Sequence, residues 1–221
     1  MIALTLEFSS PVRSVAVMTL DAGRASAEMP GHASDDGERP ARPLALVDRA
    51  LQQARIEREA IECLIVGLGP GSYTGIRSAI ALAQGWQLAR PVVLLGVSSA
   101  DALASGTHAQ GWLGCVGVVI DAQRGEFYFA GYEISKTGWR LKEPLRIARK
   151  EETPALAAAY PTIAGPEATR FFKEARIVYP DARLLGALAK GRADFTTGEK
   201  LEPIYLRATT FVKAPPPRIL L

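Results

Sequence analysis

Histidine is scarce in this 221-residue chain: His32 and His108 are the two that occur, and they stand in separate polar stretches. Neither has a second metal-ligand type at helical spacing nearby, so the His-x-x-x-His pattern of zinc and iron helices is missing. Chemistry that needs a pair of histidines is therefore excluded for this sequence.

Cysteine is equally rare. Cys63 and Cys115 lie far apart, and each sits in an apolar run, which excludes a disulfide framework and predicts reduced thiols in a core. The first eight residues contain no basic segment, and the acidic Glu7 interrupts their apolar run, so they predict neither a signal peptide nor a membrane span. We therefore expect a cytoplasmic protein that does not bind membranes.

Long charged or low-complexity runs are also missing, which argues against disorder, coiled coils and fibrous repeats. The chain is 48% hydrophobic and 22% charged, with a mean hydropathy of +0.08. A chain of this length and composition can bury a substantial core, as one large domain or as two small lobes.

Charge is unevenly distributed although the net charge is only +3. Residues 1–135 carry 10 basic and 14 acidic side chains, whereas residues 136–221 carry 16 and 9. The later part could lie near phosphate groups. The alternative is that the composition of solvated faces simply drifts along the chain.

Hydrophobic periodicity predicts an α/β fold in which strands and helices alternate. The pattern restarts after Gly106, which predicts two related lobes, residues 1–105 and 106–221, and suggests an internal duplication. An exposed loop is predicted over 29–43. The predicted strands are 2–8, 14–18, 63–67, 91–97, 115–120, 126–133, 139–141 and 162–164, and the predicted helices are 44–56, 76–89, 102–105, 153–160, 167–175 and 182–190.

The most distinctive segment is a glycine-rich loop between a predicted buried strand and a predicted helix. Such a loop can offer backbone N–H groups to an anion, or it can simply turn the chain and cap the helix. The Walker pattern fails because Ile76 follows the last glycine, and a nucleophile elbow fails because Pro70 stands two residues before Ser72. The loop consists of Gly69, Pro70, Gly71, Ser72, Tyr73, Thr74 and Gly75.

The helix after this loop carries a stripe of small side chains at three- and four-residue spacing: Ser78, Ala81, Gly85 and Ala89, with Leu82 and Trp86 beside it. A second helix could approach such a stripe closely. The stripe could equally pack against the chain's own sheet.

Two carboxylates end predicted strands, Glu7 and Asp121. Each could hold Mg²⁺, or each could cap its turn by accepting hydrogen bonds from backbone N–H groups.

Five stretches in series resemble the TsaB (YeaZ) family: residues 6–10, 69–77, 95–99, 121–128 and 203–207. The Gly-Pro-Gly-Ser sequence of the loop is the most specific of them. The resemblance implies an actin-like (ASKHA, RNase H-like) fold of two related lobes with mixed sheets flanked by helices. It also implies a non-catalytic, activating subunit for threonylcarbamoyl transfer to the adenosine beside the anticodon of tRNA.

The same resemblance implies the partners. In that family the catalytic paralogue TsaD carries the metal-binding histidine pair, the ATPase TsaE joins the complex, and tRNA is met through the complex. The resemblance also implies that the subunit alone forms a homodimer. The implied contacts with partners are Ser78, Ala81, Leu82 and Gly85, and the resemblance implies no catalytic residue, metal or intrinsic cofactor.

Two alternatives remain beside this reading. One is an actin-like nucleotide-binding phosphotransferase or ATPase that uses the glycine-rich loop and Asp121, with the nucleotide between the lobes. The other, a glycoprotease, needs a metal or a nucleophile–base pair that the sequence does not supply. The family usually has Asp-Thr-Ser where this chain has Glu7, Phe8 and Ser9. The family's first helix begins with a sequence like His-Ser-Glu, and residues 32–38 of this chain match it only weakly. The first departure disfavours nucleotide binding.

Overall fold

Two mixed β-sheets with helices against their faces make up the described part of the chain, residues 1–20, 30–35 and 42–207, in a computed structural model. The strands are β1 (Ile2–Glu7), β2 (Ser14–Thr19), β3 (Gly31–Ser34), β4 (Cys63–Gly67), β5 (Val93–Val97), β6 (Gly114–Asp121), β7 (Glu126–Ser135), β8 (Gly138–Arg149) and β9 (Thr162–Ala164). The helices are α1 (Pro43–Ala54), α2 (Tyr73–Ala89), α3 (Ser99–Ala109), α4 (Thr153–Ala159) and α5 (Ala182–Ala189).

The first sheet has the strand order β3-β2-β1-β4-β5. The predicted opening hairpin is confirmed, because β1 and β2 pair antiparallel with Ile2 opposite Thr19. The predicted loop over 29–43 is wrong at Gly31–Ser34, which pair antiparallel with β2. The turn-rich composition is overridden there because pairing with β2 buries Ala33 in the core. Residues 29 and 36–41 of that predicted loop lie outside the described part of the chain.

The second sheet repeats the plan of the first. Its order is β8-β7-β6-β9, and β6 pairs antiparallel with β7 and parallel with β9, as β1 does with β2 and β4. This repetition agrees with the predicted duplication, and the predicted fold class of two mixed sheets flanked by helices is confirmed.

The helices lie in three layers. Apolar residues of α1 and α2 pack on one face of the first sheet, and α3 and α5 lie between the two sheets. Leu156 of α4 packs on the outer face of the second sheet. Although α5 comes late in the chain, its Leu185 packs with Ala3, Met18 and Ile65 of the first sheet. The division of the chain into two lobes at residue 105 stays a prediction. α5 belongs by sequence to the predicted second lobe, but it packs on the sheet of the first.

One predicted helix is wrong. Over 167–175 the structure has a short 3₁₀ turn, Ala168–Arg170, in place of a helix. The aromatic rings that follow it pack against Phe127 with centroid distances of 4.8 Å for Phe171 and 5.6 Å for Phe172. These tertiary contacts outweigh the helical propensity of the segment.

Several bounds differ from the predicted ones. α3 runs from Ser99 to Ala109, well beyond the predicted 102–105, and Ser98 caps it by accepting a hydrogen bond from the Asp101 amide at 3.4 Å. β8 is much longer than the predicted 139–141. Cys63 is buried, which raises the pKa of its thiol to about 12, and Cys115 is a second free thiol. Among the described residues, the helices are all too short or too polar to cross a bilayer.

Candidate partner interface and the cleft between the sheets

The glycine-rich loop joins β4 to α2 and packs directly on the end of β1. The Ser72 amide donates a hydrogen bond to the Ser9 carbonyl at 2.7 Å. A Cβ at Gly71 would lie 2.1 Å from the Ser9 carbonyl oxygen, and one at Gly75 would lie 1.9 Å from the Phe8 carbonyl oxygen. Glycine is required at both positions because any side chain would collide with the backbone that directly follows β1.

Ser72 also caps α2. Its Oγ accepts a hydrogen bond from the Gly75 amide at 3.3 Å, so one of the free N–H groups of the first turn has a partner. The helix therefore begins at Tyr73, three residues before the predicted start at Ile76. The geometry of the loop is that of a tight turn and a helix cap.

Beneath the loop lies Glu7, which is fully buried. Its Oε1 accepts a hydrogen bond from the Ser9 amide at 2.7 Å, and its Oε2 accepts one from the Ser99 hydroxyl at 2.8 Å. Burial raises the pKa of Glu7 above its ordinary value, and the hydrogen bonds from Ser9 and Ser99 oppose that rise. Glu7 thus ties β1 to the start of α3, and it is directed into the core rather than toward solvent.

The side of α2 that faces away from the sheet carries the predicted small residues. Ala79, Ile80 and Ala83 face the core, whereas Ala81 and Gly85 are exposed. A Cβ at Gly85 would have no heavy atom within 4 Å. We call this side the α2 outer face and define it by Ser78, Ala81, Leu82, Gly85 and Leu88.

Leu88 is the residue of this face that the sequence reasoning did not single out. Its side chain is 90% exposed, which is the largest exposed fraction among the large apolar residues of the described chain. Ser78 and Leu82 are half-buried, and Leu82 lies at the edge of this face, where it also packs against the core of the first sheet. The Ser78 hydroxyl donates to the Thr74 carbonyl at 2.8 Å, so it is already satisfied within the helix. The spacing of Leu88, seven residues after Ala81, was a signal that could have found it.

A cleft of about 850 Å³ opens between the two sheets, beside the N-terminus of α2. The β1–β2 turn, the β6–β7 turn, the glycine-rich loop and the segment after Ile204 line it. Asp121 lies here, and it caps its own turn: Oδ1 accepts from the Gln123 amide at 2.7 Å, while Oδ2 pairs with Arg170. The charged residues that line the cleft are Arg13, Arg77, Arg124, Arg207, Asp121 and Glu167.

Tyr205 closes one side of this cleft against α2. Its hydroxyl accepts a hydrogen bond from Arg77 Nε at 3.1 Å, and its ring lies 6.0 Å from that of Tyr73. The Arg77 guanidinium stacks over the Tyr73 ring at 4.5 Å. The segment 203–207 therefore brings its tyrosine and Arg207 to the same cleft as the glycine-rich loop.

Comparison with known proteins gives the family. The model of the family described as "TsaD: tRNA N6-adenosine threonylcarbamoyltransferase" matches residues 41–199, more than half of the chain. The chain belongs to this family. Several of the similar proteins carry the names TsaB or YeaZ, which confirms the resemblance inferred from the five sequence stretches.

The similar proteins cover most of the chain. A protein of Escherichia coli named tRNA threonylcarbamoyladenosine biosynthesis protein TsaB is 28% identical over 187 residues, which is 77% of this chain and 81% of that protein. A Bacillus subtilis protein of the same name is 33% identical over 133 residues, 55% of this chain and 56% of that one. The solved structure of YeaZ from Pseudomonas aeruginosa superposes with a TM-score of 0.75 at 26% identity, covering 93% of this chain and 99% of that one.

The family model that this chain matches is described as a transferase, while the names of the relatives refer to tRNA threonylcarbamoyladenosine biosynthesis. Among the described residues of this family member, no group of three or more metal-ligating side chains comes together. His32 instead pairs with Asp181 at 3.3 Å, and His108 lies on α3.

Proposed function

We propose that this chain takes part in tRNA threonylcarbamoyladenosine biosynthesis as a non-catalytic subunit that binds and activates a TsaD-type catalytic protein. Family membership and the names of its relatives support the pathway. The engagement of His32 with Asp181 supports a role without metal chemistry of its own. A TsaE-type ATPase and tRNA join through the complex in this proposal.

The observation that carries the docking part of the proposal is the α2 outer face. Ala81 and Gly85 leave the helix backbone open to close approach, and Leu88 supplies an unpacked apolar side chain beside them. Helices approach one another closely where small side chains form the contact, and apolar side chains beside it supply burial. The α2 outer face therefore suits a helix of a partner, either a TsaD-type protein or a second copy of this chain.

The test is a binding measurement between this chain and the TsaD-type protein of the same organism. We expect a stoichiometric complex by size-exclusion chromatography and a faster threonylcarbamoyl transfer to tRNA when both proteins are present. Gly85→Leu should weaken the complex at least tenfold, about 1.4 kcal/mol, because its side chain occupies the space that the partner helix needs.

The matched control is Ala158→Leu, which adds similar bulk to an exposed position of another helix, α4. Circular dichroism melts should show that neither variant is less stable than the unmodified chain, since neither position is packed, and Gly85→Leu should melt somewhat higher because leucine replaces glycine inside a helix. Equal affinity for all three proteins would place the interface elsewhere on the surface. Absence of any complex with the unmodified chain would contradict the proposed function itself.

The same variant tests the proposed homodimer. We expect the chain alone to dimerise through the α2 outer face, so Gly85→Leu should shift its mass in light scattering toward that of a monomer. A dimer that persists in the variant would assign self-association to another surface.

The phosphotransferase alternative finds less support in the geometry. Glu7 is buried beneath the glycine-rich loop and does not line the cleft, and Asp121 is occupied by Arg170 and by the Gln123 amide. An ATPase of this kind would hold Mg²⁺ with such carboxylates. Calorimetric titration with ATP and Mg²⁺ separates the two proposals, and heat of binding to the chain alone would favour the enzyme.

A further inference from the structure

The cleft between the sheets has an excess of positive charge. Four arginines line it, against the carboxylates Asp121 and Glu167. The Arg170 guanidinium, which pairs with Asp121, adds a further positive charge at its edge. Glu126 offsets part of this excess because it pairs with Arg207 at 2.6 Å.

Three of the four arginines, Arg13, Arg77 and Arg124, form no ion pair within the described residues, whereas Arg207 pairs with Glu126. The buried Nε of Arg13 also has no hydrogen-bond partner there. Arg77 contacts the neutral Tyr205 hydroxyl and the Tyr73 ring rather than a carboxylate. Their guanidinium groups therefore keep most of their capacity for an anion.

Arg13 and Arg124 come from corresponding places in the two sheets. Arg13 lies in the turn between β1 and β2, and Arg124 lies in the turn between β6 and β7. Gln123 and Arg124 both have positive φ, 63° and 60°, where glycine or asparagine is normally favoured. Such uncommon backbone conformations concentrate at functional sites, and this one brings the Arg124 side chain to the cleft.

The rim of the cleft also carries aromatic side chains. Tyr73 is 58% exposed and Tyr205 is 47% exposed, and Tyr128 lines the interior. Exposed tyrosine rings beside arginines are the elements with which proteins hold single-stranded nucleic acid, because every base has a face that can stack.

The carboxylates of the cleft are poorly suited to a magnesium nucleotide. Asp121 is already paired with Arg170, and Glu7 lies beneath the loop. Burial raises the pKa of Glu167, and the Asp121 charge adds to that rise, which weakens Glu167 as a ligand for Mg²⁺. Arginine can bind phosphate oxygens directly, without a metal ion.

We propose that this cleft binds the phosphodiester backbone of tRNA, with Arg13 and Arg124 holding phosphates from the two sides and the tyrosines of the rim contacting bases. This inference rests on the proposed function for the identity of the RNA. It adds that this chain contacts the RNA directly and names the surface.

The test measures binding of an unmodified tRNA transcript that carries the target adenosine to the complex of this chain with the TsaD-type protein. Arg13→Gln combined with Arg124→Asn removes both free guanidinium groups, and asparagine tolerates the positive φ. We expect affinity to fall at least fivefold and the slope of log K against log salt to decrease by about 1 to 2, as for two lost phosphate contacts. In the transfer assay KM for tRNA should rise while kcat at saturating tRNA stays the same.

The control is Lys136→Gln combined with Arg140→Gln, which removes the same formal charge from the exposed β7–β8 hairpin, at the far end of β7 from Arg124. We expect it to bind tRNA like the unmodified complex. An equal loss of tRNA affinity in both double variants, or no loss in either, would overturn the inference. The proposed function would still stand in that case if the complex forms and is active. Binding of ATP and Mg²⁺ to the unmodified chain, lost in the Arg13 and Arg124 variant, would also overturn it by assigning the cleft to a nucleotide.

Discussion

Glu7 is a carboxylic acid placed where no water reaches it, between the end of β1 and the start of α3. It accepts hydrogen bonds from the Ser9 amide and the Ser99 hydroxyl, and a Cβ at Gly67 would lie 2.2 Å from its Oε2. The Ser99 hydroxyl in turn accepts a hydrogen bond from the Gly69 amide at 3.2 Å. This single side chain thereby connects the first strand with the glycine-rich loop, which makes its contribution structural.

The raised pKa of Glu7 predicts a pH dependence of stability. Above about pH 4.3, the ordinary value for glutamate, the unfolded chain has lost this proton while the folded protein still holds it. Unfolding then releases a proton, so the free energy of unfolding falls as pH rises toward the folded-state pKa. Glu7→Gln removes this pH-dependent effect because glutamine does not titrate. The free energy of unfolding of the variant, measured by urea denaturation relative to that of the unmodified protein, should therefore increase as the pH is raised from 5 to 8.

Glu199→Gln serves as the control for that measurement because Glu199 is exposed. Its difference from the unmodified protein should not change between the two pH values. If the Glu7→Gln difference were equally constant, Glu7 would titrate alike in both states and the burial argument would be wrong.

One residue both caps α5 and connects it to another element; α5 is an eight-residue helix between the two sheets. Asp181 caps it, since its Oδ1 accepts a hydrogen bond from the Arg183 amide at 2.8 Å. Burial alone would raise the pKa of Asp181, but the His32 imidazole at 3.3 Å and the hydrogen bonds from Arg183 outweigh it and hold the pKa below its usual range. His32 belongs to β3, so this carboxylate also connects α5 to the edge strand of the first sheet.

We predict that Asp181→Ala lowers the free energy of unfolding at pH 7 by about 1 to 2 kcal/mol, because it removes the helix cap and leaves His32 without its partner. Urea denaturation monitored by circular dichroism measures the change. Asp194→Ala is the matched control, since Asp194 also pairs with an arginine but is exposed and caps no helix. We expect no measurable change for the control, and equal effects of both substitutions would refute the role assigned to the cap.

For the molecule as a whole, the chain after residue 180 returns to the first sheet. Leu185 and Ala189 of α5 cover Ala3, Met18 and Ile65, and the Thr196 amide donates to the Leu94 carbonyl at 2.8 Å. The first sheet is thus completed by residues that come more than 80 positions after its last strand. Its apolar face is covered only when both parts of the chain are present.

This return predicts that residues 1–105 do not fold by themselves. The fragment leaves the α5-facing side of the first sheet exposed to water, which costs about 25 cal/mol for each Å² of apolar surface. We expect it to aggregate or to unfold without a cooperative transition, whereas residues 1–207 should unfold cooperatively. A cooperative transition of the 1–105 fragment would instead show that the predicted first lobe is an independent domain.

Local patterns were sufficient for most of the fold. An apolar run bounded by glycine predicted the strand at 63–67, and three- and four-residue periodicity predicted α1. Segments rich in alanine and leucine predicted α2 and α5. These signals all depend on neighbours along the chain. Two predictions failed where distant partners decide. β3 forms because β2 lies beside it, and the segment 167–175 departs from a helix because its rings pack on Phe127.

The candidate sites divide in the same way. Residue types and spacing indicated the glycine-rich loop and the small-residue stripe, since each of these is a contiguous pattern. Five short stretches of sequence carried the resemblance to the family. Three features follow only from the tertiary structure: the side of α2 that faces solvent, the burial of Glu7, and the position of Arg13 and Arg124 in one cleft. Burial and proximity depend on packing between segments that are far apart in the chain, and no local pattern encodes that packing.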